Sequence, residues 1–278
     1  MIQIPSNGRL FLLIALETLC EAARRRVGQA LLWVAIAFLF LGWFFAEIDF
    51  GGDRVRFGVQ FGFGVLFLFG TAAAILLPAL ILHATMESRT HWMILSRPVR
   101  AEVYVLGLWG GVVLTLWLFT SFLALFVSGL LWVLWPGVAD VPPGMEAPAG
   151  PEFSAFGFLL QWMLQGLRLS LIAAVSLFFA VFFRAVAPAL VVTVIAVLIG
   201  EMRGVAEAVY ARGEGGAGMV VGWIFRVFPD LAGFHGHDRV FGGGVGAVDL
   251  AMLAGHAVLY GGAILVFAAV LFGKRKAQ

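Results

Sequence analysis

Three observations predict an all-α integral membrane protein with six transmembrane helices. The chain is 62% hydrophobic and 12% charged, and a soluble globular domain carries about 25% charged residues. Runs free of Asp, Glu, Lys and Arg occupy 27–46, 57–86, 103–139, 153–167 with 169–183, 185–200 and 250–273. A bilayer-crossing helix needs about 20 apolar residues, so these are six spans, the fifth of them short. The third observation is how the basic residues divide between the two sides. Six crossings put both termini on one side. If that side is the cytoplasm, the inner segments hold Arg9, Arg24, Arg25, Arg26, Arg89, Arg97, Arg100, Arg184, Lys274, Arg275 and Lys276. The outer segments hold only Arg54, Arg56, Arg203, Arg212, Arg226 and Arg239, and Arg168 lies inside a span. This excess predicts cytoplasmic N- and C-termini in a multi-pass cell-membrane protein. The formal net charge of +2 therefore reports topology and gives no reason to expect nucleic acid as a partner.

Residues 9–28 have helical periodicity. Glu17, Glu21, Arg24, Arg25 and Gly28 share one face, and Leu12, Leu16, Leu19, Ala23 and Val27 share another. Such a helix is expected to lie in the inner interface with its arginines among headgroups. The seven-residue apolar run Leu10–Leu16 ends at Glu17, so the segment does not have the form of a cleavable signal peptide. The single Cys20 allows no intrachain disulfide.

The first span, 29–48, is followed by a short outer turn with Gly51-Gly52 as breaker, and the second, 57–84, contains Pro78, where a kink is expected. Gly58 with Gly62, and Gly107 with Gly111, have the small-xxx-small spacing that allows helices to approach closely. Between spans two and three, residues 85–102 form a polar, Arg-rich island that hydrocarbon would not admit. Here Glu87, Arg89, Thr90, His91 and Ser96 interleave with Trp92, Met93, Ile94 and Leu95 before Arg97-Pro98. The pattern is a short amphipathic helix ended by Pro98, with basic and apolar groups both on display.

Span three, 103–135, ends at Trp132, Trp135 and Pro136, an outer aromatic belt. Residues 136–154 are rich in Pro, Gly and Ala and form an outer loop. Span four, 155–180, is the most informative. Gln161, Gln165 and Arg168 fall at i, i+4 and i+7, so they share one helix face, which Ser176 continues. Polar groups inside a span face protein or a water-filled cavity, so these three are candidates either for an inter-helix contact or for the lining of a substrate path. Span five, 185–200, leads into 201–249, in which about 11 apolar residues around 218–228 are too few to cross; this segment is expected to be re-entrant or interfacial on the outer side. Span six covers 250–273.

Chemical motifs are sparse. His235-Gly236-His237-Asp238 has metal-ligand side chains, but in a Gly-flexible loop they read as polar loop residues, and no metal is expected. His83 and His256 read as packed or headgroup-facing histidines. No G-x-x-x-x-G-K-[ST] phosphate loop, H-E-x-x-H or G-x-S-x-G occurs, so no catalytic function is expected.

The island ESRTHWMILSRPVRAEVYVLG resembles the cytoplasmic loop between spans two and three of ABC-2-type transporter permeases, where E-x-x-T-x-x-x-L-L-[ST]-[KR]-P-V leads into the next span. The stretch ALETLCEAARRRVGQALL is similar to the N-terminal elbow helix of that family, and Pro229-Asp230-Leu231 with Phe234 resembles its P-[DN]-L-x-x-F. Departures are Arg100 directly after Val99, Ala101 in place of an Arg, and Leu108 where a Lys is common. The resemblance implies a permease subunit of an ATP-driven exporter in which residues 85–102 form a coupling helix seated on a separate ATP-binding subunit. Contact would run through Glu87, Arg89, Thr90, Trp92, Ile94, Leu95, Arg97 and Pro98, with Gln161, Gln165 and Arg168 along the substrate pathway. ATP and Mg would be bound by the partner and no cofactor by this chain. A second permease subunit, identical or related, would complete the pathway within membrane lipid. Two other classes stand beside it: a membrane assembly or sensor protein with a cytoplasmic docking loop, and an ion-driven secondary transporter, which calls for acidic residues in span cores that the charge-free runs do not contain.

Overall fold

The computed structural model describes residues 7–47, 54–87, 100–134, 154–210, 228–235 and 247–276. In chain order the elements are α1 (Asn7–Arg24), α2 (Arg26–Glu47), α3 (Arg54–Glu87), α4 (Ala101–Leu134), α5 (Ala155–Phe182), α6 (Val186–Tyr210), a single 3-10 turn (Ala232–Phe234) and α7 (Ala247–Lys276). Helices α2 to α7 are each long and apolar enough to cross a membrane, which makes the chain a multi-pass membrane protein. The described residues contain no strand, as expected where each backbone polar group must be satisfied within its own segment.

Helix α5 is the centre of the bundle. It packs against α3, α4, α6 and α7, and buried residues occur all round it, from Gly157 to Val181. A helix apolar on every side is a core helix. Its start is fixed by Ser154, whose Oγ accepts from the Gly157 amide at 3.1 Å. Across the seam with α3, Ser176 Oγ donates to the Ile75 carbonyl at 2.7 Å. Across the seam with α4, Trp109 Nε1 donates to the Ser170 carbonyl and Trp117 Nε1 to Ser170 Oγ. By contrast α2, α6 and α7 turn large apolar side chains outward, among them Trp33, Phe44, Val191, Leu198, Val258 and Leu259, the surface hydrocarbon requires.

Helix α1 turns a third face to the bundle, beside its charged face and its stripe of large apolar residues. It packs chiefly on α4, and the residues it buries are the small ones, Ala15, Thr18 and Ala22, whereas Leu12 and Leu16 of the apolar stripe remain exposed. Sheltering large side chains gains little where the surroundings are themselves apolar, so close backbone approach decides which face turns in. The glycines of α4 make that approach possible. A Cβ on Gly111 would stand 2.5 Å from the Ala15 carbonyl oxygen, and one on Gly107 would stand 2.8 Å from Ile14 Cγ2. The small-xxx-small pair Gly107/Gly111 is thus used within the chain. Gly62 likewise lies against Val127, between α3 and α4.

Helix α3 continues as helix through Pro78. It ends at Glu87, and α4 begins at Ala101, so Arg89, Thr90, Trp92, Ile94, Leu95, Arg97 and Pro98 lie outside the described residues. Of the outer loop 136–154, only Ser154 is described. Of the segment 201–249 expected to be re-entrant or interfacial, residues 211–227 and 236–246 lie outside the described residues, and the helix of span five continues past Gly200. Helix α6 runs on to Tyr210 and α7 starts at Ala247, so Glu201 belongs to a spanning helix whose apolar window is Val186–Val205. An apolar run of 16 residues is about 24 Å long at 1.5 Å per residue, short of the roughly 30 Å hydrocarbon core. The helix has to carry its first acid into the span.

Candidate intramembrane polar site

Arg168 lies at the middle of α5 and is fully buried. An arginine there is tolerated only when its charge is balanced and its N–H groups are used, and three elements supply what it needs. From α6, Glu201 Oε1 accepts from both Nε, at 3.1 Å, and Nη2. From α3, Thr71 Oγ1 accepts from Nη1 at 3.3 Å. Phe67, one turn before Thr71 on the same face of α3, lies under the guanidinium with 3.9 Å from Cζ to the ring centroid, a cation–π contact in a desolvated setting.

The other carboxylate oxygen, Glu201 Oε2, is 2.7 Å from His235 Nε2. A carboxylate held beside a guanidinium accepts, so this imidazole nitrogen carries a proton and donates. The His235 ring packs on Phe67 as well, with centroids 4.7 Å apart. His235 is therefore tied into the Arg168 cluster. His237 and Asp238, the other members of the histidine-rich loop motif, lie outside the described residues.

His235 reaches this depth because residues 228–235 fold back into the bundle. The Leu231 amide donates to the Gly200 carbonyl at 3.3 Å, and Arg203 Nη1 donates to the Phe228 carbonyl at 3.2 Å. An Asx-type contact from the Gly233 amide to Asp230 Oδ1 turns the chain. Leu231 and Phe234 are buried; Phe234 packs with Leu164 of α5 and Ala257 of α7. Non-helical backbone at this depth is stable because protein surrounds it.

Of the sequence-predicted pathway residues, all three are in this cluster or next to it. Gln161 is 2% exposed and Gln165 3% exposed. Gln161 Nε2 donates to the Phe234 carbonyl at 3.4 Å, an inter-element contact. Its Oε1, Gln165 Nε2 and Trp162 Nε1 are buried polar atoms without a hydrogen-bond partner among the described residues. What sequence reasoning missed is the opposite wall: Glu201, Thr71, Phe67 and His235. The available signal was Arg168 itself, since an unpaired arginine in a span demands a counter-ion, and Glu201 terminates a run too short to cross.

The two other histidines near spans are packed. His83 Nδ1 donates to the Ala79 carbonyl at 2.9 Å, and His256 stacks on Tyr260 with centroids 5.7 Å apart.

No protein-family model matches this chain, and no curated protein matches it.

Proposed function

We propose that this chain is the membrane-spanning subunit of an ATP-driven exporter of the ABC-2 type, coupled through residues 85–102 to a separate ATP-binding subunit. The observation that carries the reading is the placement of α3. This one helix ends at Glu87, where the polar island begins, and carries Phe67 and Thr71 into the Arg168 cluster. At 34 residues it is about 51 Å long at 1.5 Å per residue, well beyond a hydrocarbon core of about 30 Å. A continuous helix of that length links the polar island to a polar site in the bundle, which suits transmission by rigid-body movement. The island's resemblance to a coupling helix supports nucleotide hydrolysis by a partner, and the chain's lack of a phosphate loop fits that reading. In this reading Glu87, Arg89 and Arg97 make polar contact with that partner, and Trp92, Ile94 and Leu95 seat against it. A second permease subunit completes the pathway, which lies in the bacterial inner membrane with both termini cytoplasmic. The test is co-purification. Replacing Ile94 and Leu95 together with Asp is expected to abolish recovery of the ATP-binding subunit with the tagged permease, and undiminished recovery sinks the proposal.

One observation favours a second reading. Glu201 is an acid inside a spanning helix and is shared by an arginine and a histidine, an arrangement found in ion-coupled carriers. Uptake or efflux that follows an imposed proton gradient in vesicles holding this chain and no ATP-binding subunit would support ion coupling. No gradient-driven flux, with ATP-driven flux in the reconstituted complex, supports the exporter.

A further inference from the structure

We propose that Arg168 anchors an occluded site for an amphiphile with an anionic phosphate or carboxylate head, and that Glu201 holds the place of that head until the ligand displaces it. The inference deepens the transport reading by naming a substrate class, and it concerns binding to this chain alone.

The geometry of the guanidinium is the first argument. A ligand anion lying parallel to the fork offers two oxygens to two N–H groups. Glu201 does not do this: a single oxygen, Oε1, takes both Nε and Nη2, and the other is held by His235. The resident carboxylate is thus split between the guanidinium and an imidazole, a weaker match than a phosphate seated on the fork alone.

The second argument is the unused polarity next to it. Long side chains on a helix lean toward its N-terminus, so the Arg168 guanidinium lies over the turn that carries Gln165, with Gln161 one turn beyond. Gln165 Nε2 and Gln161 Oε1 are buried and unpartnered among the described residues. Buried polar atoms without partners are costly, and each one in a native structure calls for an explanation, an ordered water or a ligand among them. Here they supply a donor for an anionic oxygen and an acceptor for a hydroxyl or amide of the same head. Phe67 lies under the guanidinium, and Leu164 and Phe234 belong to one apolar cluster on which the chain behind the head would pack.

The third argument is access. Side-chain exposure rises from 0% at Arg168 through 18% at Glu201 to 31% at His235, so the carboxylate lies on the way from the guanidinium to the surface of the chain. Displacement then requires Glu201 to swing outward as the ligand enters. Its release also removes one of the contacts that hold residues 228–235 against the bundle.

The experiment uses the full chain in dodecyl maltoside, with unfolding temperature followed against dodecyl phosphate at submicellar concentration. Dodecanol, dodecyltrimethylammonium and inorganic phosphate serve as the other arms. Dodecyl phosphate is expected to raise the midpoint saturably, and the other three are not. In Glu201→Gln, which removes the resident anion, the half-saturating concentration is expected to fall by about tenfold, because the competent state no longer competes with an internal carboxylate. Arg168→Gln should lose the response. Should Arg168→Gln not survive extraction, Gln165→Leu decides, because it leaves the ion pair whole and should weaken binding by about threefold. An equal response to dodecanol or to inorganic phosphate overturns the proposal. So does a response retained in Arg168→Gln, one unaltered in Gln165→Leu, or one no tighter in Glu201→Gln. Since no ATP-binding subunit is present, failure here leaves the co-purification result standing, and failure of co-purification leaves this binding result standing.

Discussion

Arg168 and Glu201 meet across the α5–α6 seam, 33 residues apart in sequence, and Thr71 and His235 bind one member of the pair each. The ion pair thereby joins three helices and a folded-back segment at one point.

Breaking a buried pair leaves a charge without compensation, which costs roughly 3–5 kcal/mol, whereas replacing both partners with apolar groups is often close to neutral. Arg168→Met and Glu201→Met should each lower the unfolding midpoint in mild detergent by many degrees, and the double variant should recover most of the loss. Melts followed by circular dichroism measure this. Additive losses in the double variant would show that the two side chains act separately.

The α1–α4 contact depends on the absence of a side chain at Gly111. A Cβ there meets the Ala15 carbonyl oxygen at 2.5 Å and Thr18 Cβ at 2.5 Å, whereas one at Gly129 meets nothing within 4 Å. Gly111→Ala should destabilise by about 1–3 kcal/mol through overpacking. Gly129→Ala, on the same helix, should be neutral or stabilise by up to about 1 kcal/mol. Comparing their melts separates close packing from a general intolerance of substitution in α4.

Phe234 holds residues 228–235 in place. It is fully buried against α5 and α7, and its carbonyl accepts from Gln161. Phe234→Ala should cost about 3–5 kcal/mol and expose the neighbouring Ala232. A cysteine placed at Ala232 in a chain lacking Cys20 should be labelled by a membrane-impermeant maleimide much faster in the Phe234→Ala background. Equal rates would mean that the segment is held without the ring.

Ser176 tests the α3–α5 seam. Its hydroxyl donates to the Ile75 carbonyl at 2.7 Å in a buried setting, and such inter-helix bonds contribute about 0.6 kcal/mol on average in a membrane protein. Ser176→Ala should therefore shift the melt only slightly. A loss of several degrees would assign this hydroxyl a larger part in helix register.

The spans were legible because charge-free runs report hydrocarbon directly. The runs 57–86, 103–139 and 250–273 fall within a few residues of α3, α4 and α7. The same criterion misplaced the end of α6, since it stops at any charge and cannot tell a solvated Glu201 from one neutralised by Arg168. The shared face of Gln161, Gln165 and Arg168 was readable from 3.6-residue periodicity. Their partners were not, because Thr71, Glu201 and His235 come together only through helix packing at long range. The face that α1 turns to α4 was not readable from its apolar stripe, because Ala15, Thr18 and Ala22 turn in for being small.

Phe67 and Thr71 stand four residues apart, so both point along one line of α3 toward the same guanidinium. A turn of that helix about its own axis would therefore displace ring and hydroxyl together. Arg168 is in this sense a reporter of how α3 is set against α5.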